Sequence, residues 1–306
     1  MPVFLIVGAG FGATRAGLFR AEFSDGLMRF TQTFAIPCLL FLSIWQLDLG
    51  AVFHREILLS FYTGSALCFA LSALGARVIF GRRPGEAVAV GFCALFANSV
   101  LLGMPLVERA FGAEALAPLV AIVAIHAPFC YLLGITTMEF ARADGRPLGA
   151  TLGTVANAMF RNGLMIGIGL GFAANLTGIA LPDPGVAALE MMAQAALPAA
   201  LFGLGGILTR YGLADHIGET AMISALRLVI HPLIALTLAT QVFDLSADVT
   251  RTITLAAAMP PGVNTFVFAT MYGRAQDTAA STVLISTAIA VFATAIWLAV
   301  LQALPL

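Results

Sequence analysis

The sequence predicts an all-α membrane protein: ten transmembrane helices in two inverted five-helix repeats, with helices 4 and 9 broken. Three observations carry this expectation. Sixty per cent of the 306 residues are hydrophobic and ten per cent are charged, whereas a soluble domain carries roughly a quarter charged residues. Lipid is therefore the solvent for most of the surface. Ten stretches reach the roughly 20 apolar residues that cross a hydrocarbon core. Finally, the chain repeats itself at an offset of 161 residues. Val7-Gly8-Ala9-Gly10-Phe11-Gly12 returns as Ile168-Gly169-Leu170-Gly171-Phe172-Ala173, and Ala35-Ile36-Pro37-Cys38-Leu39-Leu40-Phe41 returns as Ala196-Leu197-Pro198-Ala199-Ala200-Leu201-Phe202. Gly112 has Gly273 as its counterpart. An odd number of spans per copy turns the second copy upside down. Inverted repeats of this kind are a signature of secondary transport.

The spans run roughly over 2–19, 26–46, 57–80, 86–111, 115–140, 160–178, 185–208, 217–241, 248–271 and 277–303. The first carries Arg15 in its last turn, which must snorkel outward. The first repeat occupies 1–140 and the second 160–306. Residues 141–159 form a linker, within which 147–159 could lie along the membrane surface. No cleavable signal peptide is expected, because the N-terminal apolar run lacks a basic start.

All fifteen basic residues are Arg. Arg15, Arg20, Arg29, Arg77, Arg82, Arg83, Arg142, Arg146, Arg161, Arg210 and Arg274 fall on one side of the predicted bilayer. Arg55, Arg109 and Arg251 fall on the other. The positive-inside rule makes the first side cytoplasmic, together with the 141–150 loop, and sends both termini outward. A net charge of −1 argues against nucleic acid as a partner. Cys38, Cys68, Cys93 and Cys130 are scattered singly in apolar runs, which favours inert buried thiols over disulfides or a metal site. No metal or cofactor is expected.

Two segments could carry chemistry. Span four reads Asn98-Ser99-Val100-Leu101-Leu102-Gly103-Met104-Pro105. Pro105 removes a backbone donor and clashes with the preceding turn, and Gly103 allows unwinding. Span nine reads Met259-Pro260-Pro261-Gly262-Val263-Asn264-Thr265, and Pro-Pro-Gly cannot continue a helix. Paired interruptions in corresponding spans point to a transporter's binding site. Helix N-termini opened by the breaks suit an anionic group, and Asn98, Ser99, Asn264 and Thr265 add neutral donors and acceptors. The plainer alternative is a pair of proline kinks packed on neighbours. Pro37 and Pro198 also match across the repeats and read as bends of the scaffold.

Arg227 lies deep in span eight, with His231 one turn on, on the same face. An ionisable residue at that depth is a candidate for charge compensation or coupling, or for pairing with free carbonyls at a helix break. His126 sits mid-span in span five; a neutral hydrogen-bonded role is expected ahead of a proton-linked one. Glu108 and Arg109 read as an interface pair. Val3 to Ala13 imitates the strand and Gly-x-Gly-x-x-Ala turn of a dinucleotide-binding fold. That motif needs a βαβ unit, whereas a second span follows, and close-spaced glycines also let membrane helices approach.

The chain resembles the auxin efflux carrier family, within a superfamily shared with bile-acid carriers. The resemblance is carried by Gly26 to Phe41, by Ala97-Asn98-Ser99 through Gly103-Met104-Pro105-Leu106, by Ala258 through Gly273, and by Ala280 to Thr287. It implies that helices 4 and 9 cross at their breaks. It further implies a scaffold of spans 1, 2, 6 and 7 that can also serve homodimerisation, and a transport unit of spans 3–5 and 8–10. The implied function is a secondary transporter, not an enzyme, in the bacterial inner membrane. It would carry a small organic anion, auxin- or malonate-like, by elevator-type alternating access. Asn98 and Pro105 match one family element, and Pro260, Pro261 and Asn264 the other. The long hydrophilic loop of the plant carriers is missing here, since 141–150 is too short for it. The plant carriers also have a proline near the position of Thr265. Other readings are a sodium- or proton-coupled bile-acid-type symporter and a non-transporting membrane sensor.

Overall fold

The computed structural model describes residues 2–46, 54–142, 163–209 and 216–304. The linker expected at 141–159, with its surface helix, falls almost wholly outside them. Every regular element among the described residues is helical. Six helices are long and apolar enough to cross a membrane by themselves: Glu22–Trp45, Arg55–Val78, Leu116–Ala141, Asp183–Ile207, Ile217–Val242 and Gln276–Ala303. Predicted spans four and nine are each interrupted within their length.

The chain divides into two compact units. The first comprises residues 1–47 and 127–212. It holds α1 (Pro2–Arg15), α2 (Ala21–Phe30), α3 (Ile36–Trp45), α8 (Gly163–Thr177) and α9 (Asp183–Leu208). The second comprises residues 48–126 and 213–306. It holds α4 (Arg55–Val78), α5 (Pro84–Leu95), α6 (Met104–Phe111), α10 (Ile217–Ala225), α11 (His231–Thr237), α12 (Ala247–Ala257), α13 (Asn264–Tyr272) and α14 (Gln276–Ala303). The boundary near residue 126 falls inside α7 (Leu116–Ala141).

Glycine holds the first unit together. In lipid there is no hydrophobic force between helices, so close van der Waals approach must supply the adhesion. A Cβ on Gly10 of α1 would collide with Phe202 O of α9, and one on Gly205 of α9 with Val7 O. On α8, Gly163, Gly167 and Gly171 form a stripe against α3 and the turn before it. Added Cβ atoms there would meet Thr33 O at 3.3 Å, Pro37 O at 2.5 Å and Phe41 O at 2.9 Å. The cofactor-like glycines near the N-terminus thus belong to a helix, and Gly10 is a packing contact. The contacts repeat: Gly10 on Phe202 and Gly171 on Phe41 exchange under the 161-residue offset. So do the positive-φ glycines that end helical runs, Gly17 with Gly178 and Gly112 with Gly273. Gly205→Ala is expected to force α1 and α9 apart and cost about 1–3 kcal/mol. Gly8→Ala faces open space and should be neutral. Thermal unfolding of the two variants in detergent checks the contrast.

Prolines leave a common mark. Pro37, Pro105 and Pro232 each occupy the second position of a helix, directly after a five-residue π turn: Thr31–Ala35, Ser99–Gly103 and Leu226–Ile230. A proline cannot donate to the carbonyl four residues back and its ring pushes that carbonyl aside. A wide turn takes up the displacement. At Pro232 the released carbonyl is that of Leu228, and Trp297 Nε1 of α14 donates to it at 2.7 Å. The donor lost to proline is replaced by an indole from another helix.

Candidate functional site

Span four ends its first half with α5. Phe96, Ala97 and Asn98 leave the helix, and the chain recoils through the Ser99–Gly103 turn into α6. Span nine does the same: α12 stops at Ala257, residues 258–263 are irregular, and α13 begins at Asn264. Backbone groups freed at membrane depth must find partners, and here the two breaks satisfy one another. Ala97 and Pro261 form an isolated antiparallel bridge. Asn98 N donates to Pro260 O at 2.8 Å, and Gly262 N donates to Phe96 O at 3.0 Å. Gly262 lies close against the first break, where a Cβ would stand 3.4 Å from Ala97 O.

Ala97 N–H, also released by the break, donates to His126 Nε2 at 2.9 Å. That nitrogen must be unprotonated, so His126 is a neutral Nδ1–H tautomer, assigned from the network. Tyr62 donates its hydroxyl to Ile122 O at 2.7 Å and stands 3.5 Å from His126 Nδ1. The rings of Phe61 and Phe96 pack edge-on against the imidazole.

Arg227 is fully buried and reaches both breaks. Its Nη2 donates to Met259 O at 3.0 Å and to Ala257 O at 3.4 Å, and Nη1 to Ala94 O at 3.5 Å. Nη1 also donates to His231 Nδ1 at 2.7 Å, which leaves His231 Nε2–H to donate to Phe61 O at 2.9 Å. Phe61 therefore touches both histidines, its ring standing 4.8 Å from His231 and 5.8 Å from His126.

The chain resumes helical structure at Ser99, through the π turn that leads into α6, and at Asn264, the first residue of α13, which places Asn98, Ser99, Asn264 and Thr265 at the two restarting ends. Asn98 is 8% exposed and Ser99 1%. Ser99 Oγ is buried without a hydrogen-bond partner among the described residues. Thr265 donates to Gly262 O at 2.8 Å. Gly103, Pro260, Pro261 and Gly262 are buried, while Met104 and Asn264 are half-buried. Gly103 faces the Met259 side chain, where a Cβ would lie 3.4 Å from its Cγ. The structure thus draws together residues from both predicted elements, and adds Arg227, His231 and His126 as neighbours of the breaks. Glu108 and Arg109 are exposed at the end of α6.

Several participants carried no signal in the sequence. The carbonyls of Ala94, Ala257 and Met259 take part as backbone acceptors for Arg227, which no residue type announces. Phe61 and Tyr62 read as ordinary apolar helix. Phe92 of α5 and Phe268 of α13 stack with centroids 3.9 Å apart and tie the two broken spans together. A second polar cluster lies at the start of α10. Arg82 donates to both carboxylate oxygens of Glu219, at 2.6 and 2.8 Å, which holds its guanidinium above the usual arginine range. Thr278 donates to Glu219 at 2.9 Å, and His216 pairs with Asp277. This cluster borders a cleft of about 480 Å³. Another cleft, of about 840 Å³, is lined by His54, Glu56, Phe111, Glu114, Pro118 and Asp248 among others.

Comparison with known proteins places the chain among membrane transporters. Residues 1–298 match the family described as "Membrane transport protein". A Rhizobium meliloti (strain 1021) protein described as "Putative malonate transporter" is 26% identical over 295 residues, covering 95% of this chain and 91% of that one. A Methanothermobacter thermautotrophicus (strain Delta H) protein described as "Uncharacterized transporter" is 23% identical over 307 residues, covering 98% and 97%.

Proposed function

The chain belongs to the auxin efflux carrier family of membrane transport proteins, and from that premise we propose that it carries a small organic anion, with one carboxylate held where α6 and α13 restart. It is a multi-pass membrane transporter; the substrate, the site and the movement are the proposal. The carrying observation is the antiparallel bridge of Ala97 with Pro261. It brings two interrupted spans together so that two helix N-termini and their polar residues share one neighbourhood. Each N-terminus contributes about half a positive charge, so the pair matches one carboxylate. Asn98 and Asn264 supply amide donors, and Ser99 supplies a buried hydroxyl still to be satisfied. Gly103, Met104, Pro105, Pro260, Pro261, Gly262 and Thr265 shape the breaks.

In this reading helices 4 and 9 cross within ten spans arranged as two inverted repeats. The exchange of Gly10–Phe202 with Gly171–Phe41, and of the positive-φ glycines, supports the repeat. Spans 1, 2, 6 and 7 act as scaffold and as the surface for homodimerisation, and spans 3–5 and 8–10, which include both broken spans, carry the substrate by elevator-type alternating access. The protein sits in the bacterial inner membrane with both termini outward and the 141–150 loop in the cytoplasm, as the arginine distribution supports. The relative described as a malonate transporter makes malonate the first probe.

Two measurements on purified protein test the reading. In a thermal-shift screen against organic acids, mono- and dicarboxylates raise the melting temperature, because ligands that bind the native state stabilise it; amides of the same acids do not. In proteoliposomes a stabilising acid is taken up and exchanged. Stabilisation without flux makes the protein a sensor, and no response to any carboxylate removes the anion site.

A further inference from the structure

Resting on the anion site above, we propose that Arg227 is a resident counter-cation that takes the place of a co-transported one, so that the anion moves without sodium coupling at the breaks. Two helices interrupted back to back expose four ends. The restarting ends, at Ser99 ahead of α6 and at Asn264 of α13, are positive, and the C-termini of α5 and α12 are negative, each by about half a charge. In broken transporter helices, C-terminal ends and unwound carbonyls gather the coupling cation.

Here that place is filled by the chain itself. The acceptors are Ala94 O, one residue before the end of α5, Ala257 O, the last residue of α12, and Met259 O in the break. One guanidinium, charged at any accessible pH, offsets the two half-charges of the C-termini. What remains is the positive pair of restarting ends, whose half-charges would balance a carboxylate. His231 fixes the fork by accepting from Nη1 while its other nitrogen is anchored on Phe61 O. Gly64 makes room for that imidazole, since a Cβ there would meet His231 Cδ2 at 2.6 Å. Four helices, α4, α5, α11 and α12, and a π turn therefore converge to seat one buried cation, more construction than a snorkelling arginine requires.

The test uses the full-length protein in proteoliposomes with malonate as the probe, at fixed pH and clamped voltage. Wild-type uptake is expected to be equal in sodium and choline media. Arg227→Ala is expected to lose uptake by on the order of 100-fold, the scale of an uncompensated buried charge partner, and to melt at a lower temperature. Free guanidinium at millimolar concentration, well below denaturing levels, restores both; urea, which has a similar shape and no charge, restores neither. Arg227→Lys keeps the charge and retains partial uptake, which covers the case in which the alanine variant does not fold. Sodium-dependent wild-type uptake overturns the proposal, as does equal rescue by urea and guanidinium or failure of both. If wild type neither binds nor carries malonate, the anion site is what fails, and the guanidinium–urea comparison of melting temperatures still decides the role of Arg227.

Discussion

Asn98→Ala and Asn264→Ala should each lower organic-anion uptake by about 10- to 100-fold while the protein stays folded. The estimate follows from the bond each amide is asked to make. A hydrogen bond to a charged group contributes about 1.5–3 kcal/mol, and a tenfold change corresponds to about 1.4 kcal/mol. Stability should move much less. At Asn98 the structural bonds are main-chain ones: its N–H donates to Pro260 O, and its carbonyl accepts from Leu102 and Gly103. Alanine keeps all three. Asn98→Asp is the sharper variant, because a second negative charge at the same place repels the substrate and should abolish uptake. Initial rates in proteoliposomes, beside melting temperatures of the same preparations, separate a lost contact from a lost fold. Uptake within twofold of wild type in both alanine variants would remove the two amides from the site.

The second large effect is expected at His126. Its acceptor nitrogen is the partner of Ala97 N–H, a backbone donor that exists only because span four is broken. His126→Leu leaves that donor buried and unpaired, at a cost of about 1–3 kcal/mol. It also loosens the bridge from Ala97 to Pro261, so transport should fall together with stability. His126→Gln can present a carbonyl oxygen to the same N–H and should recover most of the stability. A proton-carrying role gives a different pattern: uptake would lose its pH dependence in the glutamine variant while the melting temperature stayed high. Measuring both quantities across pH in the two variants distinguishes an anchor from a proton carrier.

Much of this was legible in the sequence because proline, glycine and charge have local consequences. Pro105 and the Pro260-Pro261-Gly262 run mark the interruptions, since no helix can continue through them undisturbed. Arg227 stands out because a charge at that depth demands a reason. The offset-161 repeats pair Gly10 with Gly171 and Phe41 with Phe202, and across the copies Gly10 packs on Phe202 as Gly171 packs on Phe41. What remained hidden is non-local. Ala97 and His126 lie 29 residues apart, and Arg227 reaches carbonyls 30 to 133 residues away. Those partners are main-chain groups, the N–H of Ala97 and the carbonyl oxygens facing Arg227, so no pattern of side chains reveals them. The replacement of a proline's missing bond by Trp297 is hidden for the same reason. Pro37 and Pro198 looked equivalent, yet Pro37 follows a π turn while α9 runs on through Pro198. The glycine stripe at 163, 167 and 171 lets the backbone of α3 come close to α8 just at Pro37.

A cryo-electron microscopy map of the protein in a lipid nanodisc, recorded with saturating malonate or the organic acid that stabilises it best, tests the central claim most directly. The account predicts density for one carboxylate beside Asn98, Ser99 and Asn264, at the starts of α6 and α13, with the Arg227 guanidinium still seated on the carbonyls of Ala257 and Met259. Ligand density elsewhere, with these residues unoccupied, or helices running unbroken through 96–98 and 258–263, would contradict it.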